Sequence, residues 1–243
     1  MGLAAPLPPP AAPSHVTLPR APRVVSSPPL PVDPSLAEAL CAVMRAVHRR
    51  GWCDGTGGNF SCRLQADPLL LLMAPSGVDK GSVDPVDLIL VDGQGRVQAG
   101  EGRASAETEL HLAIYASTGA GAVLHTHSQA GTLLSAHYAP ADDAGPVGHL
   151  PLHDLEMLKG LEGIHTHQSR IQLPVLANDQ NLVRLRARAT PLLADAPFGL
   201  LIGGHGLYAW GADLFTAQRH LEILEFLLEQ HWRQLLLRAL LRP

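Results

Sequence analysis

Apolar positions recur at helical spacing through Leu36, Leu40, Val43, Met44 and Val47, which predicts an amphipathic helix with Ser35 as its N-cap and Gly51 as its stop. The pattern then changes to short apolar runs. Phe60 to Leu64, Leu69 to Ala74 and Asp87 to Asp92 read as strands, punctuated by Pro75-Ser76-Gly77 and Gly93-Gln94-Gly95. Helical spacing returns over Ala106 to Ser117, with Ser105 as cap and Leu110, Ala113 and Ile114 on its apolar side. A strand through Gly121-Ala122-Val123-Leu124 to His125 follows, then a helix from about Ser128 to Ser135 and a long polar loop. Four smaller elements come next: a short helix around Glu156-Met157-Leu158-Lys159, a strand at Leu173 to Leu176, a helix from Asn181 to Ala189, and a strand running from Leu200 into His205. The chain finishes on a long helix over 213–241, capped by Asp213, whose seam is Leu214, Ala217, Leu221, Leu224 and Leu228. Helices and strands are mixed without regular βαβ units or an internal repeat. The expected architecture is a three-layer α/β fold, α+β in character, with one central mixed sheet flanked by helices.

Composition narrows the function classes. The chain has 243 residues, 46% of them hydrophobic, enough for a sizeable core. Residues 1–32 are rich in Pro and Ala and are expected to form a disordered or polyproline-like tail ahead of a single domain over 33–243. A net charge of −4 offers no basic surface for nucleic acid or anionic membrane, so a small-molecule partner is expected. Three cysteines, none in a C-x-x-C pair, argue against a disulfide framework and for a reducing compartment. No stretch reaches the roughly 18 apolar residues of a membrane span, and the N-terminus does not read as a secretory signal. The cytoplasm is the expected location.

Thirteen histidines turn attention to metal chemistry. In His125-Thr126-His127, alternate side chains of an extended strand share a face, so two imidazoles point the same way. His205, in Gly203-Gly204-His205-Gly206, ends a second apolar strand. Three imidazoles would complete a catalytic zinc site with an open position. A second pair, His165-Thr166-His167, has no apolar strand before it and reads as a loop with a structural or rim role. His111, His137, His149, His153, His220 and His231 are expected on helix surfaces or in loops.

Gly55-Thr56-Gly57-Gly58-Asn59 and Ser76-Gly77 could supply backbone N–H groups to an anion, or be ordinary turns. Lys80 beside them adds a charge or sits in solvent. Glu107 and Glu156 each open a helix, where an acid serves either the helix dipole or proton transfer beside a bound ion.

Taken together, Gly51-Trp52, Thr56-Gly57-Gly58-Asn59-Phe60-Ser61, Pro75-Ser76-Gly77-Val78-Asp79-Lys80, Ser105-Ala106-Glu107-Thr108, His125-Thr126-His127-Ser128, Glu156-Met157-Leu158-Lys159-Gly160 and His205-Gly206-Leu207-Tyr208-Ala209-Trp210-Gly211 resemble the class II aldolase/adducin superfamily. The last two segments resemble its methylthioribulose-1-phosphate dehydratase branch, which works in methionine salvage. The likeness runs from about Leu36 to Leu228. It implies one Zn²⁺ per subunit on His125, His127 and His205, and a phosphorylated ketose facing Gly57, Gly58, Asn59, Ser76, Gly77, Ser105 and Glu107. It also implies Glu156 as general acid/base and a homotetramer with sites at subunit interfaces. Sugar-phosphate aldolase activity is the alternative, with Glu107 in the catalytic place. A non-catalytic adducin-like scaffold is a second alternative.

Overall fold

The computed structural model describes residues 30–141 and 147–241. Most of the expected tail, and part of the loop after residue 138, therefore lie outside the described residues. Leu30 and Val32, at the end of that stretch, pack against the core.

Among the described residues, nine strands form one sheet. They are β1 (Asn59–Ala66), β2 (Leu69–Met73), β3 (Ile89–Asp92), β4 (Val97–Ala99), β5 (Ala122–Thr126), β6 (Gly148–His153), β7 (Arg170–Leu176), β8 (Gly199–Ile202) and β9 (Gly206–Gly211). Their spatial order is β4-β3-β2-β1-β5-β9-β8-β7-β6, antiparallel throughout except for the β7–β8 pair. The helices are α1 (Pro34–Arg49), α2 (Thr108–Thr118), α3 (Gln129–Tyr138), α4 (Leu182–Leu193) and α5 (Leu214–Leu240).

Strand pleating sorts the core into two layers. Phe60, Cys62, Leu124, Leu207 and Ala209 face α1, α3 and α5, whereas Val123, Tyr208 and Trp210 face α2 and α4. Each fully buried Leu or Phe in these layers contributes about 1.5–3 kcal/mol. This is the expected three-layer arrangement. Asn181 and Asp213 cap α4 and α5 through their side chains, and Ser128 caps α3, accepting from Gly131 N at 3.0 Å.

Several local expectations need correction. Asp33, not Ser35, caps α1 and accepts from Ser35 N at 2.8 Å. Pro34 at the first helical position, where its missing N–H is harmless, explains the shift. Helix α2 begins at Thr108 with Glu107 in the cap position, so Ser105 lies ahead of it. The run from Asp87 divides into a 3₁₀ turn (Pro85–Asp87) and β3. The polar loop contains β6, whose Leu150 and Leu152 are buried on alternate positions. His205 sits in the tight turn between β8 and β9, its N–H donating to Ile202 O at 3.0 Å. His111 and His220 are fully buried instead of lying on helix surfaces.

Candidate metal centre and cleft

Three of the nine strands converge on the site. β5 lies between β1 and β9, with Asn59 opposite His125 on one side and Tyr208 opposite His125 on the other. The pleat turns His125 toward α2, and His127 follows just past the strand end. The β8–β9 turn brings His205 to the same spot. One donor atom from each of His125, His127, His205 and Glu107 lies within 4.8 Å of all the others.

The hydrogen bonds identify which nitrogens are free. His125 Nδ1 lies 2.9 Å from Leu207 O. A carbonyl only accepts, so this nitrogen carries the hydrogen and Nε2 of the neutral ring presents a lone pair. That lone pair faces His127 Nε2 at 2.8 Å. Two imidazole nitrogens at this separation need a proton or a cation between them. Burial holds His125 well below its ordinary range and lowers His127 as well, so both rings favour the neutral, ligating form. The donor set fits a divalent metal ion.

Glu107 completes the cluster. Its Oε1 lies 2.9 Å from His205 Nε2, its Oε2 lies 3.9 Å from His125 Nε2, and Asn59 Nδ2 donates to the same carboxylate. Burial works against the Glu107 charge. The His205 hydrogen bond, with the nearby imidazoles wherever they carry a proton, outweighs it and holds the carboxyl at about 2.

The cluster opens onto a cleft of about 670 Å³ lined by Ser76, Arg103, Ser105, Glu107, His205 and Tyr208. Gly57 lies against His127, where a Cβ would come within 3.0 Å of Nδ1, and Gly58 adopts φ +78° against His125 O. Gly77 is exposed beside Ser76. The structure thus gathers Gly57, Gly58, Asn59, Ser76, Ser105 and Glu107 around the histidines.

Lys80 does not sit in solvent. It is 2% exposed, and its Nζ donates to Thr56 O at 3.0 Å and Val78 O at 2.8 Å. It thereby ties the two glycine loops together. Glu156 is not drawn into the cluster. It stands exposed at the start of a 3₁₀ turn (Glu156–Gly160), ion-paired with Lys159. His165 and His167 are exposed in a loop, as their lack of a preceding apolar strand predicts.

Sequence reasoning missed Arg103 and Tyr208. Arg103 follows Gly102 in a stretch without periodicity and gave no signal. Tyr208 was detectable as the residue at period two from Gly206 in an apolar run.

Comparison with known proteins gives the family. The model of the "Class II Aldolase and Adducin N-terminal domain" matches residues 38–232. A methylthioribulose-1-phosphate dehydratase of Pectobacterium atrosepticum is 42% identical over 205 residues, covering 83% of this chain and 95% of that protein. One from Sorangium cellulosum is 40% identical, covering 80% and 90%. Among solved structures, the L-fuculose-1-phosphate aldolase of Thermus thermophilus superposes with a TM-score of 0.66 at 26% identity, covering 84% of this chain and 97% of that one. The matched span contains all three imidazoles, Glu107 and the strands that hold them, and on that ground the chain belongs to the class II aldolase and adducin family.

Proposed function

We propose that this chain dehydrates 5-methylthioribulose 1-phosphate to 2,3-diketo-5-methylthiopentyl 1-phosphate and water. The convergence of His125, His127, His205 and Glu107 at the head of one cleft carries this reading. The names of relatives at 40–42% identity support the substrate.

His125, His127 and His205 would hold one Zn²⁺, which supplies Lewis acidity for the substrate carbonyl when bound. Gly57, Gly58, Asn59, Ser76, Gly77 and Ser105 would orient the phosphorylated ketose, with the buried charge of Lys80 behind the loops. The C3 proton leaves to a carboxylate, the C4 hydroxyl departs with a proton as water, and the resulting enol tautomerises to the 2,3-diketone. Glu107 is held ionised and borders the reacting carbons. Glu156 is the acid/base of the elimination. Its exposed position suits it to serve the cleft of a neighbouring copy in a homotetramer acting in the cytoplasm.

Incubating the purified protein with this substrate, with and without chelator, tests the reading. A metal-dependent product lighter by one water is expected by mass spectrometry. Metal-dependent aldol cleavage products instead of the diketone would favour the sugar-phosphate aldolase reading, for which the place of Glu107 in the cluster speaks. A protein without metal or turnover would be a scaffold.

A further inference from the structure

Glu225 is a carboxylic acid in the wrong company. It lies on α5 at 2% exposure, within the apolar layer of Leu221, Leu224 and Leu228. Burying an acid is unfavourable unless it is bonded. One contact is specific: the Thr126 hydroxyl donates to Glu225 Oε1, while Oε2 has no hydrogen-bond partner and lies near the Ser128 hydroxyl. Glycine at 131 leaves room for the Ser128 hydroxyl. A Cβ there would come within 2.8 Å of Ser128 Oγ and 3.9 Å of Glu225 Oε2.

Thr126 and Ser128 flank His127. The pleat of β5 sends His125 toward α2 and Thr126 to the opposite face, toward α5, so Glu225 grips the strand from behind. It does so where the chain leaves the sheet and enters α3. His127 N itself donates to Trp52 O at 2.7 Å. Ser128 has a second duty as the α3 cap.

We infer that Glu225 is a positioning residue for the metal centre: through its bond from Thr126 its carboxyl fixes the strand end at His127 and hence the direction of that imidazole. The inference rests on the reading of His125, His127 and His205 as ligands. Residues that orient ligating histidines from outside typically change metal affinity about 10–100-fold when removed.

Co²⁺ titration of the full-length apo-protein, followed by visible absorption of the bound ion, provides the test. The variants are Glu225→Gln, Glu225→Ala and Thr126→Val, with Leu221→Ala as a control for general loosening of α5. Co²⁺ affinity is expected to fall about tenfold or more in Glu225→Ala and Thr126→Val, with an altered absorption band, and to stay near wild type in Glu225→Gln. Leu221→Ala should lower the Tm and leave affinity unchanged. Wild-type affinity in folded Glu225→Ala overturns the inference. If that variant does not fold, wild-type affinity in Thr126→Val does so. An equal affinity loss in Leu221→Ala also overturns it. A wild-type protein that takes up no Co²⁺, or uptake that survives His127→Ala, removes the ligand reading itself and the inference with it.

Discussion

Tyr208 lies flat against His125, with ring centroids 3.9 Å apart and planes 12° from parallel. The two residues are partners across the β5–β9 ladder, and both are fully buried. The phenol therefore covers one face of the imidazole and leaves its edge, with Nε2, to the cluster. Tyr208→Ala should cost about 3–5 kcal/mol in stability, as for other buried aromatic truncations, and reduce bound metal. Tyr208→Phe should keep both. Chemical denaturation and metal analysis on the purified variants check this.

Metal removal is the next prediction. Chelator should abolish turnover and lower the Tm, because an ion that binds only the folded state stabilises it by mass action. His125→Ala, His127→Ala and His205→Ala should each lose stoichiometric metal. Retained metal in any of the three would displace that residue from the ligand set.

Two glycines separate strain from collision. Gly77 has φ +80° with no atom within 4 Å of an added Cβ, so Gly77→Ala should cost about 1 kcal/mol from backbone strain alone. At Gly58, φ is +78° and the new Cβ would meet His125 O at 2.8 Å. Gly58→Ala should therefore cost about 3 kcal/mol and disturb ion binding. Urea midpoints for the two variants read the difference.

Stability should respond to pH through two buried groups of opposite sign. Burial pushes Glu225 up to about 7 from an ordinary value of 4.5, and lowers His111 to about 4 from 6.5. Between pH 4.5 and 7 the unfolded chain releases the Glu225 proton while the folded chain keeps it, so this term erodes stability as pH rises. Below 6.5 the unfolded chain takes up the His111 proton that the folded chain refuses, so that term erodes stability as pH falls toward 4. Glu225→Gln should thus gain Tm relative to wild type between pH 4.5 and 7 and hold the gain above it. Thermal melts of chelated protein across this range provide the measurement.

Lys80→Met should loosen the two glycine loops, because Nζ bonds one carbonyl from each. Loss of a charge-assisted hydrogen bond is worth about 1.5–3 kcal/mol. The expected result is a KM for the phosphorylated ketose raised about tenfold, with kcat largely retained. An unchanged KM would assign Lys80 a purely structural place.

How much of this was legible in the sequence depended on which physical signal each residue carried. The histidine trio was legible because period-two spacing and glycine-flanked strand ends are local features. So was the cap at Asp213. β6 was not: Pro151 interrupts its run, and only its position at the sheet edge makes a proline tolerable there. His111 was misread because α2 is buried nearly all round, from Thr108 to Tyr115 apart from Glu109, leaving no amphipathic period to follow. Glu225 carried no local signal, because its partner Thr126 is about a hundred residues away in sequence. Contacts of that separation are invisible to periodicity.

The placement of the donors on β5 and in the β8–β9 turn has a consequence for biosynthesis. A nascent chain that has released only its first four strands owns none of the three imidazoles, and one that ends before residue 205 holds an incomplete set. An ion that needs all three rings would therefore be captured only once the β8–β9 turn has docked beside β5.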